Sequence, residues 1–410
     1  MDGGRVVETM ASAEFRLARI FETLHHGMRL FHDGLRDLAM EPLATVLRSP
    51  QGLPAWRLAA AGLLAECYRG KADFLRAEHY YRIGLAEAEA ISPAERRINE
   101  WYLHYRPRCA LGLITVLRRL ISSDHRTISS ELRATRDLAG YLNIPDLAWQ
   151  LSAVDGLYRR QYRDLDGAVS LLRDARDGMA DLEGFCYWYP EHVEALLLQV
   201  QLLMPSGRAM VRRGARTLLD DPSVRSWSKA VAAACHLHLQ FDRMIERKAV
   251  TAEFAEAAKD HTSDGAGHLL DVLEVNARAE GDPLLESESL ILRLAWCWAA
   301  GRPDTLAETA SKLLEIMTRA PPILGVLRGC EIRVLVLLFS VTSREEPSLT
   351  VLLQRGSQAL NNLCTSIASY GYGADTMGSW AKLLEATGPE AHATGWFDEP
   401  LAALRCLAWP

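Results

Sequence analysis

The chain has 410 residues, with a hydrophobic fraction of 49% and a charged fraction of 24%, values typical of a folded protein that exclude disorder on a large scale. Its formal net charge of −6 gives no general attraction to nucleic acid or to an anionic membrane. At this length we expect either two or three globular domains or one elongated array of repeated units.

The cysteine pattern and the hydropathy of the chain indicate a cellular compartment. The 8 cysteines are spread singly, without a CxxC pair, which is typical of a reducing environment. The first residues lack the apolar core of a signal peptide, and no window approaches the length of a membrane-spanning helix. We therefore predict a soluble, intracellular protein, cytoplasmic or nuclear, that has no membrane partner.

Helical periodicity dominates the chain, and strand signals are scarce. Leu147, Leu151 and Val154, for example, recur at spacings of four and three, which places them on one face of a helix. We therefore predict an all-α fold. The segments with this periodicity are 10–40, 54–70, 73–91, 101–121, 128–141, 145–160, 165–181, 190–204, 207–219, 224–247, 249–260, 265–279, 285–300, 303–319, 323–341, 347–369 and 376–387.

The connectors between these helices are short. RGKAD (69–73) and MPSG (204–207), for example, each join two periodic segments. Connectors of this length place consecutive helices side by side in opposite directions, so the predicted unit is a helical hairpin. Pro107 falls inside the segment 101–121, where we expect a kink or a helix start.

The hairpin LLAECYRGKADFLRAEHYYRIGLAEA (63–88) has a recognisable pattern of small and aromatic residues. These residues are Leu64, Ala65 and Tyr68 on the first helix and Ala77, Tyr81 and Gly84 on the second. Small residues let two backbones approach closely, and the rings fill the space toward a neighbouring hairpin. The pattern resembles the tetratricopeptide repeat, a helix–turn–helix unit of 34 residues. The resemblance implies an α-solenoid of antiparallel helical hairpins.

Two later places repeat the twelve-residue offset between small residues, at Gly156 with Ala168 and at Ala295 with Ala307. Within the same superfamily, the segments 65–92 and 147–175 are similar to hairpins of the helical-repeat subunit of the cohesin loader. That resemblance implies a chromosome-associated subunit that binds the disordered end of a partner protein.

Motifs for catalysis, nucleotide binding and metal binding are missing from the sequence. There is no GxxxxGK[ST], no GxGxxG between a strand and a helix, and no GxSxG. His236 and His238 follow Cys235, but two residues two positions apart point to different faces of a helix, and the adjacent pair His25–His26 has the same problem. We predict no cofactor, no metal site and no enzymatic activity.

Two clusters remain as candidate binding surfaces. The aromatic run GFCYWYPEH (184–192) is either an exposed ridge that grips a ligand or a plug between two hairpins, and we favour the plug. A basic cluster on one helix could meet an acidic peptide or a phosphate. Its arginines are Arg208, Arg212, Arg213 and Arg216.

The sequence thus predicts a non-catalytic adaptor, or a subunit of a larger complex, that binds a peptide or a helix of another protein on the concave side of a solenoid. If the first helices of the hairpins line that side, the partner meets Glu66, Arg69, Gln150, Arg160, Arg293 and Trp296. We do not expect direct binding of nucleic acid. An all-helical enzyme with an unrecognised site and the cohesin-loader type of subunit are the alternatives.

The predicted organisation along the chain has four segments. Residues 1–50 form N-terminal helices, residues 51–220 form hairpins similar to tetratricopeptide repeats, residues 221–388 form further hairpins, and residues 389–410 form a C-terminal tail.

Overall fold

The computed structural model describes residues 3–71, 73–119, 125–142, 145–161, 164–180, 189–246 and 251–300, with short stretches at 308–309, 311–313 and 315–316. The helices of the first 161 residues are α1 (Gly3–His32), α2 (Arg36–Arg48), α3 (Pro54–Gly70), α4 (Phe74–Glu89), α5 (Pro93–Arg96), α6 (Glu100–Arg119), α7 (His125–Leu142) and α8 (Pro145–Gln161). They are followed by α9 (Leu165–Ala180), α10 (Pro190–Leu202), a short 3-10 turn (Pro205–Gly207), α11 (Arg208–Asp220), α12 (Ser226–Glu246), α13 (Thr251–Lys259), α14 (Ala266–Glu280) and α15 (Pro283–Ala299).

The prediction of an all-α fold is confirmed, since the described residues contain helices and no strand. The predicted helix 10–40 is two helices, because Gly34 adopts a φ of +79°, which ends α1 and starts a turn. Pro107 lies inside α6, so the helix runs through this proline and does not start there. The predicted helices 323–341, 347–369 and 376–387 lie outside the described residues.

The chain divides into two compact units. Unit 1 consists of Met1–Leu120 and Arg126–Ala148, and unit 2 of Ile121–His125 and Trp149–Pro410. Each unit has a buried core of its own within the described residues.

In unit 1, helices α3 and α4 form the hairpin that the sequence indicates. The stacked rings of Tyr68 and Tyr80 lie near the turn, and Arg57 binds Glu87 near the opposite end at 2.8 Å, so the two helices run in opposite directions. Two of the small and aromatic residues in the pattern, Ala77 and Tyr81, are fully buried.

Glycines allow α6 to approach this hairpin closely. A Cβ added at Gly62 or at Gly84 would lie about 3 Å from the sulfur of Cys109, and one added at Gly112 would overlap the ring of Tyr81. Because Gly84 lies beside Cys109 and Tyr81 lies beside Gly112, α4 and α6 also run in opposite directions. Helices α3 and α6 therefore point the same way, and both pack against α4 and against each other.

In unit 2, one buried cluster joins α8, α9 and α10, and another surrounds α12. This helix packs against α10, α11, α14 and α15. Phe241 of α12, Phe254 of α13 and Trp296 of α15 meet with ring centroids 5.6–5.7 Å apart. The edge-to-face contacts of Trp296 with both phenylalanines anchor α13 and α15 to α12.

Within the described residues, no helix combines the length and the apolar character that crossing a bilayer requires.

Candidate interaction surface

Aromatic and histidine side chains from three helices of unit 1 form a continuous surface, which we call the aromatic face. It consists of Phe21, His25 and His32 of α1, Trp56 of α3, and Trp101, His104, Tyr105 and Arg108 of α6. On α6 the four members occupy positions i, i+3, i+4 and i+7, and the members on α1 are four and seven residues apart. These spacings place each set on one side of its helix.

The rings contact one another across the helices. The ring of Phe21 lies 5.3 Å from that of Trp56, and the ring of His25 lies 6.2 Å from that of Trp101, centroid to centroid. Trp101 in turn stacks on Tyr105 at 5.9 Å with an interplanar angle of 15°. The contact between His25 and Trp101 joins α1 to α6, so the aromatic face spans three helices that are distant in sequence.

The aromatic face is only partly covered by the protein itself. Phe21 is 38% exposed and His25 is exposed, while Trp56 and Trp101 are half-buried. Tyr105 beneath them is 4% exposed. A surface with fixed rings below and accessible rings above can bury additional apolar area against a partner, because rigid aromatic side chains lose little conformational entropy on binding.

The charges at one end of the aromatic face act on His104. Its pKa is lowered to about 4, mainly by desolvation, and the nearby Arg108 and His32 add to the effect. The guanidinium of Arg108 lies 5.9 Å from the centre of the Tyr105 ring. His104 is therefore neutral at neutral pH and does not add to the positive charge of Arg108.

Two of the predicted partner-binding residues, Glu66 and Arg69, take part in a network inside the α3–α4 hairpin. Arg69 donates two hydrogen bonds to one carboxylate oxygen of Glu66, at 2.6 and 3.0 Å, and the hydroxyl of Tyr81 donates to the other. The carboxylate of Glu66 thus ties the buried Tyr81 to α3, which is a structural use of this residue.

Three further predicted residues lie in the core of unit 2, and their expected position on an accessible surface is corrected. Gln150 is 3% exposed, while Arg160 and Trp296 are fully buried. Arg160 donates to the side-chain oxygen of Gln199 at 2.7 Å. A helix in the interior buries more than one face, so hairpin register alone does not show which of its residues reach the surface.

Arg293 is partly buried and binds acidic residues of α14. Its guanidinium lies 2.5 Å from a carboxylate oxygen of Glu274 and 3.5 Å from one of Asp271. These ion pairs join α14 to α15.

The basic cluster of α11 lies on the exposed side of an amphipathic helix. Val211, Ala215 and Leu218 form its buried side, and Arg212, Arg213 and Arg216 are exposed. Arg216 binds Asp264, and Arg212 lies 4.0 Å from the same carboxylate. Asp264 thus compensates part of the positive charge of this cluster, to which Arg208 also belongs.

The first part of the aromatic run, up to Trp188, lies outside the described residues. At its end, Tyr189 carries the guanidinium of Arg225 over its ring at 3.3 Å, and His192 stacks on Trp227 at 4.9 Å. These contacts lie within unit 2, so the described part of the run packs against the start of α12.

The two histidines next to Cys235 are both buried, in different surroundings. Nε2 of His238 lies 2.6 Å from a carboxylate oxygen of Glu288, which joins α12 to α15. The pKa of His236 is lowered to about 4 by burial and by the charges of Arg212, Arg216 and Arg243. Among the described residues, no group of three or more His, Cys, Asp or Glu side chains could hold a metal ion.

The aromatic face is only partly visible in the sequence. Trp101, His104, Tyr105 and Arg108 in WYLHYRPR have the spacing of one helix face. In the sequence, His25 stands out only as the neighbour of His26. Its position opposite Trp101 depends on the way that α1 and α6 flank α3, and this is a tertiary property.

Comparison with known proteins adds no relative: no protein-family model and no curated protein sequence matches the chain.

Proposed function

We propose that the chain is a non-catalytic adaptor, or a subunit of a larger complex, that binds an extended segment of a partner protein on the aromatic face. The observation that carries the proposal is the continuous surface of partly exposed rings, from Trp56 through Phe21 and His25 to Trp101, above the buried Tyr105. Aromatic residues on a rigid support are the anchors that dominate binding energy in protein interfaces.

The arrangement of helices in unit 1 supports the repeat architecture that we propose with this function. Helices α3 and α4 are antiparallel, α4 and α6 are antiparallel, and α3 and α6 point the same way. A solenoid similar to tetratricopeptide repeats is built in this manner, and its aligned first helices form an extended binding surface. Helices α1, α3 and α6, whose side chains together form the aromatic face, suit an extended peptide.

The proposal is tested by selecting peptides on the full chain from a random phage-displayed library and titrating the synthetic peptides by fluorescence polarisation. Replacing Trp101 by alanine removes a half-buried ring from the centre of the aromatic face. We expect affinity to fall about thirtyfold, the effect of losing an interface hot spot worth about 2 kcal/mol. Circular dichroism and thermal unfolding check that the variant is folded.

Tyr141→Ala is the matched control, because Tyr141 is also an aromatic residue of unit 1 but is exposed on α7, where it meets Arg97. Its peptide affinity should equal that of the wild type. If the library yields no binder, or if Trp101→Ala and wild type bind the selected peptides equally well, the aromatic face is not the binding site and the proposal is wrong.

A further inference from the structure

We propose that the partner segment on the aromatic face is acidic and has a defined spacing: a proline or another apolar anchor meets Trp101, and a carboxylate about three residues away meets Arg108. This inference rests on the proposed function and adds the chemistry of the partner.

The charge of the aromatic face is the first argument. Among the eight residues of the face, Arg108 carries a permanent positive charge, and none is an aspartate or a glutamate. Arg108 stands at one end of the face, seven residues after Trp101. An acidic segment complements this end of the face, and such complementarity determines which partners bind and how fast.

The charge of Arg108 also reaches His104. The pKa of His104 is lowered mainly by desolvation, and the guanidinium of Arg108 adds to this shift. The charge of Arg108, which opposes a proton on His104, would favour a carboxylate placed beside it. A neutral imidazole can also donate a hydrogen bond to that carboxylate.

The geometry of α6 sets the spacing. Trp101 and Arg108 are seven residues apart on one side of the helix, a distance of about 10 Å at 1.5 Å per residue. An extended or polyproline chain advances about 3.1–3.3 Å per residue, so about three residues of a bound segment cover this distance. The anchor and the carboxylate should therefore stand three positions apart in the partner.

A single strand of RNA or DNA would also find rings and arginines here, but the charge distribution favours a peptide. Nucleic acid presents a phosphate at every nucleotide and needs a continuous basic path. At the other end of the aromatic face, the exposed Glu22 and Glu100 stand next to Phe21 and Trp101 in the sequence. On the aromatic face itself the permanent positive charge is that of Arg108, which suits one carboxylate better than a row of phosphates.

The test uses a phage library in which one proline or aromatic anchor is fixed and all other positions are random, selected on the full chain. We expect aspartate and glutamate to be enriched three positions from the anchor. For a selected peptide, changing this acid to lysine should weaken binding to wild type about tenfold or more, which corresponds to about 1.4 kcal/mol. The variant Arg108→Glu should reverse the preference, so that the lysine peptide binds it better than the acidic peptide.

Arg133→Glu is the control, because it makes the same charge change at an exposed arginine of α7 in the same unit. This variant should still bind the acidic peptide more tightly than the lysine peptide. Peptides that depend on Trp101 but bind equally well with acid, glutamine or lysine at this position would overturn the inference and leave the proposed function standing. A failure to select any peptide would overturn both the proposed function and this inference. Both would also be overturned if poly(U) bound more tightly than every selected peptide and lost affinity in Trp101→Ala.

Discussion

The histidine side chains of this protein differ in burial and in hydrogen bonding, and these differences determine how they respond to acid. His25 is exposed on the aromatic face, His238 is buried against Glu288 at 2.6 Å, and His236 is buried with a pKa lowered to about 4. In the described part of the chain, Nδ1 of His236 has no hydrogen-bond partner. Burial without a partner disfavours the protonated ring, so His236 makes the fold sensitive to acid.

The first prediction concerns this residue. Unfolding raises the pKa of His236 from about 4 to about 6.5, the value of a free histidine. Between these pH values, protons bind His236 more strongly in the unfolded chain than in the folded one. The contribution of His236 to the free energy of unfolding is therefore constant above about pH 6.5 and falls as the pH decreases toward 4. Replacing His236 by glutamine should reduce this fall by about 2 kcal/mol at pH 4.5.

The measurement is the free energy of unfolding of unit 2 from urea titrations at pH 7 and pH 4.5, for wild type and His236→Gln. His268→Gln changes a half-buried histidine of α14, in the same unit, and should leave the fall unchanged. Equal acid sensitivity of wild type and His236→Gln would show that His236 does not carry the effect.

At the scale of single helices, the distribution of polar residues determines what each helix contacts. Helix α11 has a buried apolar side and an exposed arginine side. Helix α15 is instead buried over most of its surface, and even Ser287, Glu288 and Ser289 are inside. An apolar helix without a consistent polar side belongs in the interior. Trp296 is therefore a core residue of unit 2.

The second prediction follows from the position of Trp296. Its ring packs against Phe241 and Phe254, so Trp296→Ala should leave a cavity and destabilise unit 2 by about 3–5 kcal/mol. Thermal and urea unfolding measure this change. Val275→Ala, at an exposed apolar residue of α14, should have little effect. A stable Trp296→Ala variant with reduced peptide binding would instead support the original expectation of a surface position.

At the scale of the whole molecule, the chain consists of two units with separate cores. The core of unit 1 depends on close helix contacts at glycines, most of all where Gly112 of α6 meets the ring of Tyr81. The core of unit 2 is built around α12 by other residues. A change inside one core should therefore act first on the unit that contains it.

The third prediction tests this division. Gly112→Ala places a methyl group into the space of the Tyr81 ring and should destabilise unit 1 by about 1–3 kcal/mol. Hydrogen exchange followed by mass spectrometry should show faster exchange in α3, α4 and α6, with unchanged protection in α12, α14 and α15.

Gly140→Ala is the control, because nothing lies within 4 Å of an added Cβ at this position of α7. It should leave exchange unchanged or stabilise α7 slightly, since alanine favours a helix over glycine by about 1 kcal/mol. Equal loss of protection in both units after Gly112→Ala would contradict the division into separate cores.

Local sequence patterns are enough to identify the class of the fold and many of its helices. Apolar residues at spacings of three and four lie on one side of the chain only when the chain is helical. The short connector 69–73 requires α3 and α4 to be neighbours. The same local rules predicted that Ala77 lies where the two helices approach and that the ring of Tyr81 points toward a neighbouring helix; both residues are buried, and the ring meets Gly112 of α6. These properties depend on residues that are close in sequence.

Which side chains reach solvent and which contact one another depends on long-range packing. The burial of Arg160 and Trp296 depends on helices that approach from distant parts of unit 2. The aromatic face likewise unites positions 21, 56 and 101, because α1 and α6 contact each other across α3. Periodicity shows that a helix has an apolar or aromatic side, whereas the partner of that side is determined by long-range packing.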